Sequence, residues 1–263
     1  MNLVYVMNDT KQKWNKTQLH WDDKKTIQSQ KVPKSVIFNW QRMNQILQDL
    51  CKKKSYLLKN RIVMVDIGCG GGKFYYGLEP YVKLYVGVDP SDRMLSYTSK
   101  NKGQYFIRGV GEQLPLCDGF ADLVLIKSVL DQCYDPQRFI KESFRVLKHK
   151  GWILISLSNR SSYYSILRKI YNWLRRSDSD HFFQESHQFY FNINDINDLL
   201  KENKFNIIYQ IPFGYFILPR FLEWMIPDRF LSILIKISDE IGTSLIPQNG
   251  GGFITLGIKN VNK

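Results

Sequence analysis

The chain lacks the features that define several large classes of protein. No run approaches the roughly 18 consecutive apolar residues that a membrane-spanning helix needs, and no apolar leader with a small-residue cleavage site begins the sequence. The four cysteines follow no CxxC or Cys/His spacing, so neither a metal site nor a disulfide framework is expected. Internal repeats and low-complexity tracts are absent. We therefore predict a soluble, cytoplasmic protein with reduced thiols, no metal and no obligate protein partner.

Acidic residues are scarce at the N-terminal end of the chain. The formal net charge is +13, and residues 1–61 carry 13 Lys/Arg against 4 Asp/Glu, whereas residues 62–159 and 160–263 each carry 12 against 10. Two interpretations of this basic segment stay open. It is either a solvated face or a surface for an anionic substrate, a lipid headgroup or RNA.

Short apolar runs alternate with helical stretches after residue 61, which is typical of βαβ units and a mainly parallel sheet. The 263 residues suit one decorated domain. We predict a basic helical lid over 1–60 and a domain over 61–263 with cap insertions at about 160–190 and 213–250. The predicted strands are 62–67, 84–89, 104–108, 122–127, 152–158, 205–211 and 252–259. The predicted helices lie within 73–82 and at about 92–100, 136–148 and 196–203. We predict Ser91 as the N-cap of the second, Gly151 as the stop of the third, and Asn194 or Asp195 as the N-cap of the fourth.

A glycine cluster follows the first predicted strand, in the segment DIGCGGG at 66–72. Its spacing fits GxGxG better than the GxGxxG of nicotinamide and flavin sites, because the last position of that fingerprint falls on Lys73. The carboxylate of Asp66 would repel a pyrophosphate but suits an ammonium group. Asp89 ends the second strand 21 residues after Gly68, where an acid can accept both ribose hydroxyls of an adenosine.

Further segments resemble, in order and spacing, the motifs of class I S-adenosylmethionine-dependent methyltransferases of the type 11 kind. The resemblance is close over 62–158 and loose over 187–211. The matching segments are GVGEQLPL at 109–116, FADLV at 120–124, LDQCYDP at 130–136 and RVLKHKG at 145–151. It implies a doubly wound α/β fold of the Rossmann-like methyltransferase type, with seven strands, helices on both faces and a helical cap.

The resemblance also implies S-adenosylmethionine as the cofactor and assigns residues to its parts. The methionine part is framed by Asp66, Gly68, Gly70 and Gly72, and near its amino group lies the backbone carbonyl of Lys127. The ribose is held by Asp89. The adenine is sandwiched by Pro90 and Leu114, and its ring meets the backbone N–H of Gly111, which precedes Glu112.

The sequence departs from the family at two positions. Val110 stands where the family commonly has an acid that accepts the adenine amine, so this hydrogen bond must come from elsewhere or be absent. Gln132 replaces the family histidine, which gives no support to a base at that position.

The absence of two motifs restricts the class of methyl acceptor. Residues 127–130 read KSVL instead of the [N/D/S]-P-P-[F/Y/W] motif of exocyclic-amine methylation, and no Pro-Cys dipeptide offers the thiolate that attack on cytosine C5 requires. We therefore expect O- or C-methylation of a small-molecule, lipid or glycan acceptor. Two alternatives are an RNA methyltransferase that uses the basic N-terminal segment and a non-catalytic binding module.

The candidates for a general base are His187 and Asp131, and each has a structural alternative, a loop histidine and a helix cap. Weaker candidates are Tyr134 and His181. A lid could include His20, Trp21 and Trp40. The apolar stretch 213–241 could line an acceptor pocket, rest on a membrane surface or pack on the sheet.

Overall fold

The computed structural model describes residues 34–98, 101–162, 189–216 and 220–260. The described α-helices are α1 (Lys34–Leu58), α2 (Asp92–Leu95), α3 (Pro136–Val146), α4 (Ile193–Glu202), α5 (Arg220–Met225) and α6 (Asp228–Leu245). The strands are β1 (Ile62–Ile67), β2 (Val82–Asp89), β3 (Gln104–Arg108), β4 (Ala121–Lys127), β5 (Leu147–Ser158), β6 (Phe205–Phe213) and β7 (Gly252–Lys259). None of the helices in these ranges combines the length and apolar character that crossing a membrane requires.

The seven strands form one sheet in the order β3-β2-β1-β4-β5-β7-β6. Strands β1 to β5 pair in parallel, and β7 inserts antiparallel between β5 and β6. The strand order reverses beside β1, so the carboxyl ends of β1, β2 and β4 flank one crevice, where ligands bind in open α/β sheets. The predicted doubly wound, mainly parallel sheet is confirmed.

Both faces of the sheet are covered, because the central strands are apolar on both sides. Every residue of β1 is buried. Met64 faces α1 and packs with Leu47, whereas Val65 faces α3 and packs with Phe139. Helix α1 is therefore a layer of the core, and the predicted boundary at residue 60 falls in the turn between α1 and β1.

The helix predicted within 73–82 is wrong. Only a 3₁₀ turn forms there, over Lys73–Tyr75, and β2 begins at Val82, two residues before the predicted start. No side chain caps this turn at Gly72, and the positive φ of 83° at Gly77 interrupts any continuation. Because a helix needs several uninterrupted turns to repay its nucleation, the segment stays short.

The boundary predicted between α3 and the fifth strand also needs correction. The helix ends at Val146 instead of 148, and β5 begins at Leu147 instead of 152. Leu147 already pairs with Ala121 of β4, and a register shift follows at that point. The left-handed φ of 56° at Lys150 marks the distortion. Residues 147 and 148, which the helical pattern assigns to the helix, therefore belong to the strand. The helix ends before Gly151, so this glycine does not stop it.

Two predicted helix starts have different outcomes. Ser91 caps α2 as predicted, since its hydroxyl accepts from the backbone N–H of Met94 at 3.1 Å, although α2 ends already at Leu95. The cap predicted at Asn194 or Asp195 is wrong. Asn192 caps α4, and Asp195 closes a capping box by accepting from the Asn192 N–H at 2.7 Å.

The second predicted cap insertion contains α5 and α6, while most of the first, residues 163–188, lies outside the described residues. The buried carboxylate of Asp239 in α6 accepts from the backbone N–H groups of Gly214 and Tyr215, at 2.9 and 3.0 Å. It also pairs with Arg42 of α1 at 2.5 Å. This carboxylate therefore joins α6 to α1 and to the end of β6.

Candidate active site

A cavity of about 210 Å³ lies at the carboxyl ends of β1, β2 and β4. It opens where the strand order reverses, because the loops after these three strands diverge there. Its lining includes both glycine-turn and loop residues. They are Ile67, Gly68, Gly70, Asp89, Pro90, Met94, Gly109, Val110, Gly111, Glu112, Lys127, Ser128, Val129, Gln132, Cys133 and Phe139. Seven of the ten predicted cofactor residues are in this set, and Asp66, Gly72 and Leu114 are not.

The glycine turn after β1 is crowded by the protein itself. Gly68 has φ of 75°, and a Cβ atom there would lie 2.6 Å from the side chain of Val129. Its N–H donates to the carbonyl of Val88 at 2.7 Å. Only glycine combines this left-handed conformation with such close approach. The turn therefore lies directly against the loop that follows β4.

Asp89 connects this turn to the end of β2. Its Oδ2 accepts from the N–H of Gly70 at 2.8 Å, and its Oδ1 accepts from the N–H of Ser91 at 3.0 Å. These two contacts hold the carboxylate in one orientation at the cavity wall.

Asp66 lies on the other face of β1 from Ile67, because successive strand residues point to opposite sides. It is fully buried, and the Tyr85 hydroxyl donates to its Oδ2 at 2.6 Å. Burial raises the pKa of Asp66 to about 7, and the neighbouring Lys127 opposes this increase. Near neutral pH the carboxyl is thus poised between its two forms, and a cation beside it would favour ionisation.

Lys127 ends β4, and its ammonium group is enclosed by aromatic rings. Nζ lies 5.4 Å from the ring centroid of Trp40 and 5.1 Å from that of Phe74. Burial lowers the pKa of Lys127 to about 8, against attraction from Asp66 and Asp131. The Nζ of Lys73 lies 5.5 Å from the same Trp40 ring. Two cations and an aromatic pair therefore flank the glycine turn on its α1 side.

The loop after β3 packs against α3. A Cβ atom on Gly111 would lie 2.0 Å from the Phe139 ring, so glycine is required by close approach. Glu112 is buried and accepts from the N–H of Tyr134 at 2.8 Å, and burial raises the pKa of this glutamate. Leu114 lies in the core, where its N–H donates to Glu142 at 2.9 Å.

A family model described as a methyltransferase domain matches residues 65–155, the segment that contains this turn, Asp89 and Lys127. The chain contains a class I S-adenosylmethionine-dependent methyltransferase domain. Its family and fold imply S-adenosylmethionine as the cofactor. The residues present fit this group, because the cavity joins a glycine turn to a carboxylate that is already oriented.

Three known proteins are similar to this chain over parts of its length. An uncharacterized protein of Methanocaldococcus jannaschii is 31% identical over 144 residues, which cover 55% of this chain and 64% of that protein. A malonyl-[acyl-carrier protein] O-methyltransferase of Buchnera aphidicola is 30% identical over 136 residues, 51% of this chain and 52% of that enzyme. The chain thus spans less than two thirds of these curated relatives.

The third comparison is a solved structure, a methyltransferase of Thermotoga maritima described as a possible histamine N-methyltransferase. It superposes with a TM-score of 0.54 over 85% of this chain and 94% of that chain, at 20% identity. At this identity the likeness concerns the fold of the methyltransferase domain alone.

Of the two candidate bases in the methyltransferase domain, His187 lies outside the described residues, as do His181, His20 and Trp21. Asp131 is buried in a 3₁₀ turn after β4, and its backbone carbonyl accepts from the N–H of Phe189 at 3.1 Å. It lies close enough to Lys127 to raise the pKa of that lysine. Within the described ranges, no three His, Cys, Asp or Glu side chains are arranged to hold a metal ion.

Sequence reasoning missed several parts of the site. Lys73 and Phe74 fall in the segment predicted as helix, and no periodic pattern identifies them. Ser128 lines the cavity with φ of 51°, an uncommon conformation for a residue other than glycine, and such backbone occurs often at functional sites. Trp40, expected only as a possible lid residue, contacts the cations from α1. Only tertiary packing brings these residues together.

Proposed function

We propose that this chain transfers a methyl group from S-adenosylmethionine to a small-molecule, lipid or glycan acceptor, by O- or C-methylation. The observation that carries the proposal is the contact between Asp89 and the N–H of Gly70, which fixes an acidic side chain beside the glycine turn. When bound, the cofactor supplies a methyl group carried on a sulfonium, from which the neutral thioether is a good leaving group.

The residues around the cavity have distinct parts in this proposal. Asp66 would attract the ammonium of the methionine part, and the Lys127 carbonyl would accept from it. Gly68, Gly70 and Gly72 would give the backbone its path around that part. Asp89 would accept from the ribose hydroxyls. Pro90 and the N–H of Gly111 would hold the adenine, with Leu114 supporting the loop from the core.

Alignment is the main contribution that this site makes to catalysis. Displacement at a methyl group needs a desolvated acceptor in line with the leaving group, and a general base is optional. Asp131 and His187 remain candidate bases. Lys127 lines the cavity, and the rings of Phe74 and Trp40 lie against its ammonium group, so a positive charge is held beside the cavity.

The two cations over the Trp40 ring favour an acceptor that carries an anionic group. The ammonium groups of Lys73 and Lys127 share the Trp40 ring, and a carboxylate or phosphate between them would bind both. The relative from Buchnera aphidicola is named as a malonyl-[acyl-carrier protein] O-methyltransferase, and a malonyl group attached at one end carries a carboxylate at the other. We therefore place acidic small molecules first within the proposed acceptor class.

Calorimetry with S-adenosylmethionine tests the cofactor half of the proposal. We expect the wild type to bind and Asp89→Ala to lose at least about a hundredfold in affinity, because two oriented charge-assisted hydrogen bonds disappear. Asp198→Ala, an exposed acid on α4, is the matched control and should bind normally. Equal binding by the Asp89 variant would refute this site.

Transfer of a labelled methyl group into fractionated cell extract tests the acceptor half. Label in an acidic small-molecule pool supports the proposal, and label in lipid or glycan redirects it within the same class. Label in RNA would favour the alternative that uses the basic N-terminal segment. Cofactor binding without label in any pool would favour the non-catalytic module, for which the valine at position 110 is the motivating feature.

A further inference from the structure

The edge of the sheet opposite the cavity carries a row of positive charges. We call it the amino edge, because β1 to β6 begin there, and β7, which is antiparallel, ends there. Each strand except β4 has a cation within three residues of this end. They are Arg61, Lys83, Lys102, Lys150, Lys204 and Lys259. With strands about 4.8 Å apart, the row extends over about 29 Å.

Few acids offset these cations. Near the same edge, Asp118 pairs with Arg145 at 2.8 Å and Asp122 pairs with Lys148 at 2.9 Å. Other exposed acids in this part of the structure are Glu79, Glu202 and Asp49, which precedes Lys52 and Lys53 by one helical turn. Among the described residues, no ion pair involves the cations of the row, and Lys259 alone of them donates to backbone carbonyls, those of Phe144 and Leu147 at 2.7 and 2.6 Å. The end of α1 adds three exposed lysines, which are Lys52, Lys53 and Lys59.

Three consecutive apolar side chains project from the same place. Tyr56, Leu57 and Leu58 at the end of α1 are 83%, 59% and 45% exposed. The helix end is firmly attached, since Lys54 donates to the carbonyl of Lys150 at 2.7 Å. Exposure of these side chains therefore does not result from a loose attachment. We call these three residues the apolar tip.

We propose that the amino edge and the apolar tip dock on the surface of an anionic phospholipid bilayer. The tip would enter the boundary between headgroups and acyl chains, and the surrounding lysines would contact lipid phosphates. An RNA strand would use the cations but leave the two leucines in water, so lipid accounts for more of the surface. The docked protein would keep its cavity turned toward water. This inference is independent of the proposed methyl transfer.

A second exposed apolar face competes for this role. It follows one side of α6 and consists of Phe230, Ile233, Leu234, Ile237, Ile241 and Leu245. Charges of both signs, Arg229, Lys236 and Glu240, accompany it along the helix. It therefore lacks the charge complementarity to an anionic surface that the amino edge has, and the test below separates the two faces.

The test is flotation of the full chain with vesicles of phosphatidylcholine, alone or with a third of the lipid replaced by phosphatidylglycerol. We expect binding to the anionic vesicles only. Lys52→Gln with Lys53→Gln should lower the partition coefficient about thirtyfold, from the usual contribution of a lysine near an anionic surface. Leu57→Ser with Leu58→Ser should lower it at least about tenfold, since apolar burial is lost.

Two controls keep this test decisive. Lys141→Gln with Lys236→Gln removes two exposed lysines elsewhere and should leave binding unchanged, and Ile233→Ser with Ile237→Ser should also leave it unchanged. Thermal unfolding verifies that each variant folds, and the two tip-region pairs are independent of each other. The proposal is overturned by absent vesicle binding, equal binding to neutral vesicles, or loss through the α6 pair alone. Binding of oligouridylate without vesicle binding would assign the surface to RNA.

Discussion

The two edges of the sheet use charge in opposite ways. At the carboxyl edge, Asp66, Asp89 and Lys127 are buried or half-buried, and their neighbours hold them in place. At the amino edge, lysines are mostly exposed, and the acids nearby are neutralised by ion pairs or stand at the surface. Buried charge is costly unless it has a ligand or partner to meet. The contrast indicates that one edge is built for a small ligand and the other for an extended surface.

The largest expected effect is on the free energy of unfolding when the buried charge of Asp66, at the carboxyl edge, is removed. Its pKa is raised from 3.8 to about 7, so the folded state keeps a proton that the unfolded chain loses, and stability falls as the pH rises through this interval. Asp66→Asn still accepts from Tyr85 but removes the charge. We expect a gain on the order of 4 kcal/mol in unfolding free energy at pH 8 and little at pH 4. Denaturant titration at both pH values measures it.

The amino edge supplies the control for this prediction. Asp122 accepts from the N–H of Val63 at 2.8 Å and pairs with Lys148, so Asp122→Asn should destabilise the protein at pH 8. Asp66→Asn should in addition weaken S-adenosylmethionine binding, because it removes the proposed partner of the ammonium. A loss of stability at pH 8 for the Asp66 variant would contradict the explanation by burial.

Two glycines with positive φ sharpen the comparison. Gly68 at the carboxyl edge has φ of 75° and a crowded Cβ position, whereas Gly119 before β4 has φ of 62° and open space around it. Gly68→Ala should cost about 3 kcal/mol, from the left-handed backbone and overpacking together. Gly119→Ala should cost about 1 kcal/mol, from the backbone alone. Chemical unfolding compares them, and equal costs would argue against crowding at the turn.

Substitution of two lysines that lie over aromatic rings, one at each edge, tests which edge binds the acceptor. Lys127 lies over Trp40 and Phe74, and Lys54 at the amino edge lies 4.5 Å from the ring centroid of Trp152. Burial lowers the pKa of both to about 8. Lys127→Met keeps the apolar stem, and we expect it to raise the KM for an acidic acceptor about tenfold, the usual value of a charge-assisted hydrogen bond.

The pH dependence of KM follows from the charge of Lys127. In the wild type, the KM for this acceptor should rise as the pH passes 8, because Lys127 loses its proton there, and the variant should show no such rise. Lys54→Met should leave KM unchanged and lower stability by about 1 kcal/mol, from the lost bond to the Lys150 carbonyl. An unchanged KM in the Lys127 variant would remove the acidic acceptor from the proposal.

The smallest expected effect is a gain at the carboxyl edge. Val110 lines the cavity where the family commonly places an acid. Val110→Asp should tighten S-adenosylmethionine binding severalfold, up to about tenfold, by accepting the adenine amine. Val110→Leu, which adds volume without an acceptor, is the matched control. Calorimetry distinguishes them, and equal affinities would place the adenine away from this residue.

Local patterns were sufficient for the strands and failed where tertiary contacts compete with them. Runs such as 62–67 and 122–127 are apolar on both faces, so strand type and burial follow from composition. The α3–β5 boundary was misplaced because pairing of Leu147 with Ala121 overrides a helical pattern. The helix predicted after the glycine turn did not form, since Gly77 interrupts it with a positive φ. Periodicity does not contain these non-local and backbone effects.

By itself, the sequence determined the βαβ alternation with its mainly parallel sheet, the glycine turn and the acid that ends β2, because these depend on residue order along single strands and their loops. Only the tertiary structure decided that Trp40 meets Lys73 and Lys127, and that the apolar tip stands among the lysines of the amino edge. These groups come from separate parts of the chain. Their meeting depends on which strand ends share an edge, and strand order across the sheet is set by packing.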